Sequence, residues 1–182
     1  MERKTFLKTA LLVGVLSASL KRLTAAPLKV KGYILKKGRN RFNEKTLLYG
    51  NSPIDIKVSG KDTNGQLSIT EYTGHEKGGP PLHIHPLQDE VFYVLEGEHL
   101  FQLGTEQHLL GPGDSIFIPR GTPHAPCQTG PYCKMLFFFS PAGNMEDFFR
   151  TLAVTKGIPQ PAEAKKLFEA QGMKIVGPPL KF

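Results

Sequence analysis

Four residues of this chain have the types and the spacing of a metal site. His83 and His85 are separated by one residue, so on an extended strand both imidazoles point to the same face. Glu90 follows a short polar turn and opens the next apolar run, where its carboxylate can be aimed at the same point. His124, just past the turn Pro119-Arg-Gly-Thr-Pro123, can bring a third imidazole. Three His and one Glu converging in this way make a mixed nitrogen and oxygen donor set for a divalent first-row metal, with positions free for water or substrate. A lone His-x-His occurs in many strands without metal, so the reading rests on the joint spacing of all four. His99 and His108, single histidines in polar strand settings, read as surface residues, and His75 in its Gly-rich loop is ambiguous.

The elements that must position these groups are short strands. Gln66–Thr73 alternates apolar and polar residues, as a half-buried strand does. Val91–Leu95 is apolar on both faces and rich in β-formers, which predicts a central strand covered on both sides. Turns at Glu96-Gly97, Gly111–Asp114 and Pro119–Pro123 separate further strands at His99–Leu103, Thr105–Leu110, Ser115–Ile118 and Lys134–Phe139. Such spacing predicts an all-β sandwich or barrel with its core at about residues 45–140. Beyond Ser140 the period changes. Asn144–Ala153 sets Phe148, Phe149 and Leu152 on one helical face behind an N-capping Asn, and Pro161–Ala170 is a second short helix. These make a helical tail over residues 144–172. The two adjacent Phe would close the mouth of the barrel or dock the helix on a sheet face or a second copy.

The chain has 182 residues and 19 Gly and 15 Pro, which suits one domain of many tight turns. Its formal charge of +7 is partly local: without residues 1–26 it is +3, and the remaining charges are scattered, which argues against a nucleic-acid binder. Residues 1–26 run from a basic start, through the apolar stretch 9–20, to small residues before Pro27. That order reads as an export signal, with an amphipathic N-terminal helix as the alternative, and the apolar stretch is short for a stable membrane span of roughly 30 Å. Arg3-Lys-Thr-Phe-Leu-Lys8 is similar to a twin-arginine signal, with Lys4 in place of the second arginine. An exported protein, periplasmic or extracellular, follows, with residues 27–182 as its single domain. Cys127 and Cys133, the only two cysteines, would face each other as a small disulfide or remain two half-buried thiols.

The spacing resembles the cupin family. His83, His85, Glu90 and Gly97 fit its first motif, and Gly113, Pro119, Gly121 and His124 fit its second. Two positions depart: Gly78 sits one residue too near His83, and Gln128 stands where the motif has Asn. The resemblance implies a double-stranded jelly-roll barrel, a homodimer, and one divalent transition metal, Fe, Mn, Ni, Co, Cu or Zn, on His83, His85, Glu90 and His124. Gly-Gly-Pro-Pro-Leu-His-Ile-His and Asp-Glu-Val-Phe-Tyr-Val-Leu-Glu-Gly are similar to the quercetin 2,3-dioxygenase-like cupins. That likeness implies a dioxygenase that cleaves a flavonol or similar phenolic with dioxygen, Glu90 serving as ligand and as the base for the substrate hydroxyl. Phe92, Phe101, Phe117, Met135, Phe137 and Phe139 would line an aromatic pocket, or be ordinary core. Alternatives are a sugar isomerase or oxalate-type enzyme, and a non-catalytic cupin that binds metal or a small ligand. Arg120 reads as a solvated loop charge.

Overall fold

The computed structural model describes residues 30–155 and 157–181; the expected signal segment, residues 1–26, lies outside them. The order of elements is β1 (Leu47–Leu48), β2 (Ser52–Val58), β3 (Ser68–Gly74), β4 (Pro81–Ile84), β5 (Asp89–Glu96), β6 (His99–Leu103), β7 (Glu106–Leu110), β8 (Ser115–Ile118), β9 (His124–Gln128), β10 (Cys133–Ser140), α1 (Met145–Val154), α2 (Pro161–Ala170) and β11 (Lys174–Pro179). Two antiparallel sheets face each other. One runs β1-β2-β3-β10-β5-β8 and the other β11-β4-β9-β6-β7. This is the two-sheet, mostly β architecture that the strand spacing implies.

Alternation along the strands builds the core. Met135, Phe137 and Phe139 of β10 turn inward beside Phe92 and Val94 of β5, while Leu136 and Phe138 turn outward. The core rings meet edge to face: Phe92 lies 5.0 Å from both Phe101 and Phe137. The outer face of β5 is not covered, contrary to the expectation from its apolar run. Val91 is only half-buried and Tyr93 is exposed, because α1 and α2 pack elsewhere and, among the described residues, no layer lies over that sheet face.

Both tail helices form where their patterns place them. Asn144 makes no side-chain cap on α1; its carbonyl accepts the Phe148 N–H instead. The first turn is tied down by Glu146, whose carboxylate accepts from the Ser59 hydroxyl and the Gly60 N–H. Phe149 packs at 6.0 Å from Phe137 and 6.2 Å from Phe139, so α1 closes one end of the barrel interior. Helix α2 starts at Pro161 with a capping box between Gln160 and Glu163. The tail then ends in a strand the sequence pattern did not reveal. Lys-Ile-Val-Gly-Pro-Pro lacks strong alternation, yet β11 pairs with β4, Ile175 lying opposite His83.

Candidate metal centre

His83 is in β4 and His124 opens β9; the antiparallel register sets them directly opposite each other, so their side chains leave the sheet on the same side. His85 follows β4 by one residue and keeps the same direction. Glu90 reaches the group from the facing sheet, where β5 holds it opposite Phe139 on β10 and Ile118 on β8. Each of the four residues offers a ligand atom, and these atoms all lie within 4.8 Å of one another. All four are buried, with His124 fully so.

Anchors on the far side of each ring aim the imidazoles. His83 Nδ1 lies 2.8 Å from the Pro81 carbonyl and His124 Nδ1 lies 3.0 Å from the Thr122 carbonyl. A carbonyl only accepts, so these Nδ1 atoms carry the hydrogen; Nε2 of His83 is left with its lone pair toward the centre, while Nε2 of His124 faces Glu90 Oε2 there. His85 Nδ1 lies 3.3 Å from Gln88 Oε1. The orientation of that amide is settled by its other end, where Gln88 Nε2 donates to the carbonyls of Pro141 (3.0 Å) and Ala142 (2.9 Å). Gln88 was not singled out by sequence, where it is one polar residue in a turn, and no pattern marks it.

The turn between β8 and β9 is tied to the same place. Arg120 is exposed but not simply solvated: its guanidinium makes two hydrogen bonds to Asp89, of 3.0 and 2.6 Å, and its backbone N–H makes a third. These bonds hold the Asp89 carboxyl down at about 2. Gly121 N–H donates to the His85 carbonyl at 2.8 Å, so one turn locks His85, Asp89 and, through Thr122, His124.

The electrostatics suit a cation. Burial, reinforced by the neighbouring His124 and His85, pushes the His83 imidazole well below its ordinary value. Burial also lowers His85, outweighing the attraction of Glu90. Burial acts on His124 in the same sense, but there the Glu90 carboxylate, with Nε2 at 2.9 Å from Oε2, and the Thr122 carbonyl prevail and raise it. Neutral imidazoles are the metal-binding form, and a desolvated carboxylate among them needs a positive partner. The donor set therefore fits a first-row divalent ion.

The residues expected to line a pocket divide. Phe92, Phe101, Met135 and Phe137 face the interior. Phe117 does not. It is 58% exposed, on the outer face of β8 beside Val91, Tyr93 and Phe138, because Ile116 and Ile118 take the inward positions of that strand. In Ser115-Ile-Phe-Ile118 the two Ile share the face opposite Phe117, but the alternation does not say which face turns inward. Of the expected rings, Phe139 reaches the cluster itself, 5.7 Å from His85; the other ring there, Phe168 of α2, edge-on to His83 at 5.3 Å, was not expected.

Other expectations are settled nearby. His99 is not a surface residue: it is buried on the inward face of β6, with neither ring nitrogen hydrogen-bonded among the described residues. Burial lowers its pKa to about 4. His75 is exposed and the His108 side chain is half-exposed. Cys127 and Cys133 are free, buried thiols, and Cys133 donates to Gln128 Oε1 at 2.9 Å. Gln128, the departure from the second motif, also donates to the Gly130 carbonyl at 2.9 Å and pairs its backbone with Gly78, the departure from the first.

Residues 70–139 match the family model of the cupin domain. A quercetin 2,3-dioxygenase of Bacillus subtilis is 32% identical over 136 residues, covering 75% of this chain and 39% of that protein. An uncharacterized protein of Aquifex aeolicus is 31% identical over 87 residues, 48% of this chain and 72% of that one. Among solved structures, an RmlC-like cupin from Shewanella frigidimarina is 26% identical with a TM-score of 0.48, covering 60% of this chain and 94% of that one. This chain thus spans about two fifths of the length of the Bacillus dioxygenase.

Proposed function

The chain belongs to the cupin family, and we propose that it is a metal-dependent dioxygenase acting on a flavonol or a similar phenolic. One observation carries this reading: three imidazoles and one carboxylate, buried and mutually within 4.8 Å, stand against the rings of Phe139 and Phe168. The likeness to the Bacillus dioxygenase over most of the chain supports the choice of reaction.

His83, His85, Glu90 and His124 would hold the ion. When bound, it would acidify a hydroxyl placed on it and provide a route for electrons to dioxygen. The chain's own residues do the rest. The Nδ1 anchors at Pro81, Gln88 and Thr122 keep the three Nε2 atoms facing the centre without rearrangement. Glu90 makes its contacts to His85 and His124 through Oε2, at 3.4 and 2.9 Å, which leaves Oε1 to take the proton of a phenolic hydroxyl. Phe139 and Phe168 present apolar faces that exclude water and suit an aromatic substrate.

The test is dioxygen consumption by metal-loaded protein over a panel of flavonols, with Glu90→Gln beside the wild type. Consumption that depends on the flavonol, and falls about 10²–10⁴-fold in Glu90→Gln, is expected for a general base. Protein that binds the ion tightly yet consumes no oxygen with any flavonol would reject the dioxygenase reading in favour of a binding cupin. Undiminished turnover in Glu90→Gln would remove that residue from proton transfer.

A further inference from the structure

On the outside of the barrel, residues 30–43 carry Lys31, Lys36, Lys37, Arg39 and Arg41 and no Asp or Glu. This segment is not a loose arm. Arg41 N–H donates to the Ile56 carbonyl at 2.7 Å, Lys57 Nζ donates to the Arg39 carbonyl at 2.8 Å, and the Tyr33 hydroxyl donates to the Lys57 carbonyl at 2.9 Å. Arg41 lies 4.4 Å over the Tyr33 ring and pairs with Asp62 at 2.9 Å. Those bonds fix the backbone along β2 and engage the Asp62 carboxylate, while Glu71, beside Lys36 and Lys37, is paired with Lys57 and Lys134. Lys31, Lys36, Lys37 and Arg39 make no ion pair among the described residues.

The same segment exposes hydrocarbon between its cations. Ile34 is 84% exposed, and Val30, Tyr33 and Phe42 are each more than a third exposed. Lys61 adds a further cation, 5.7 Å from the Phe42 ring. Unpaired positive charge interleaved with solvent-facing apolar side chains is the chemistry of a bilayer interface carrying anionic headgroups. A protein interface would deplete charge from its apolar centre, and a nucleic acid would have no use for Ile34. Among the described residues no helix is long and apolar enough to cross a membrane.

We propose that residues 30–43, with Lys61, form a docking surface for an anionic lipid membrane. The surface is independent of the metal cluster and of the dioxygenase reading. Lys36 and Lys37 supply attraction to the headgroups, and Ile34 enters the boundary between headgroup and acyl chain.

The chain contains no Trp, so Ile34→Trp in the full chain is a reporter of that one position. Its emission is followed with vesicles of phosphatidylcholine mixed with phosphatidylglycerol, and with phosphatidylcholine alone, with and without brominated acyl chains. The expected result is a blue shift and bromine quenching on the mixed vesicles only, abolished by high salt. Lys36→Gln with Lys37→Gln in the same background should raise the lipid concentration needed by about thirtyfold. Equal unfolding temperatures of the variants keep folding out of the comparison, since all three side chains are exposed. An emission that vesicles leave unmoved, an equal shift on phosphatidylcholine alone, or a shift that survives loss of both lysines would each overturn the proposal. Binding to duplex DNA with no vesicle response would assign the cations to a nucleic acid instead.

Discussion

Gln88→Leu tests whether the metal cluster is organised from behind. Gln88 is buried; its Oε1 faces His85 Nδ1 and its Nε2 serves two carbonyls that follow β10. Leu is close in volume but has neither function. Without an acceptor on Nδ1, His85 loses the partner that fixes its tautomer and ring angle, and outer partners of this kind are worth about 10–100-fold in metal affinity. That corresponds to about 1.4–2.7 kcal/mol. The metal-free protein suffers separately, because the carbonyls of Pro141 and Ala142 lose their donor, at about 1–3 kcal/mol each. Two measurements separate these effects. Competition with a coloured chelator gives affinity, and urea unfolding without and with metal gives stability. At a metal concentration 100-fold above the wild-type Kd, metal should stabilise the wild type by about 2.7 kcal/mol; a variant with 100-fold weaker binding should gain only about 0.4 kcal/mol. Loss of metal-free stability with an affinity within twofold of wild type would refute the reasoning, leaving Gln88 as a clamp on the chain after β10 and nothing more.

His99 predicts an acid liability. Its folded pKa of about 4 lies below the ordinary 6.5, so between those values the unfolded chain binds the proton more readily, and stability falls as pH drops from 6.5 toward 4. His99→Leu should relieve up to about 3 kcal/mol of that loss at pH 4 and change the stability at pH 8 much less; urea unfolding at both pH values reads the difference. Phe168→Ala removes a buried ring that packs on His83 and Phe148, and should cost about 3–5 kcal/mol by thermal or urea unfolding. A cost below about 1 kcal/mol would mean that α2 is not seated over the cluster. Gly74→Ala would place a Cβ 2.0 Å from Gln128 Oε1 and 2.6 Å from Cys133 Sγ, so it should destabilise as an overpacked core does, by about 1–3 kcal/mol. Full stability in that variant would show that the Gln128 amide moves freely.

The alternation of Gln66–Thr73, the turn residues at Gly111–Asp114 and the 3.6-residue spacing of Phe148, Phe149 and Leu152 are local properties of the chain, and they gave the two-sheet class and both helices. The spacing of His83 and His85 belongs with them, since a period of two sets them on one side whatever the strand pairs with. Which side faces the interior is another matter. Phe117 and Ile116 alternate in either case, and only packing of β8 beside β5 decides that the Ile goes in and the Phe out. Convergence of His124 and Glu90 on the pair depended on registers with strands far away in sequence, β4 with β9 and β5 with β10. Gln88 was silent because its three partners, His85, Pro141 and Ala142, meet only after the chain after β10 folds back over the turn before β5. His99 looked like a surface residue because polarity is local, whereas burial is set by the sheet on the far side of the barrel. Residue type and period thus determined what this chain can build and which four groups can bind an ion; long-range strand pairing, which no short window contains, decided where they point and what holds them there.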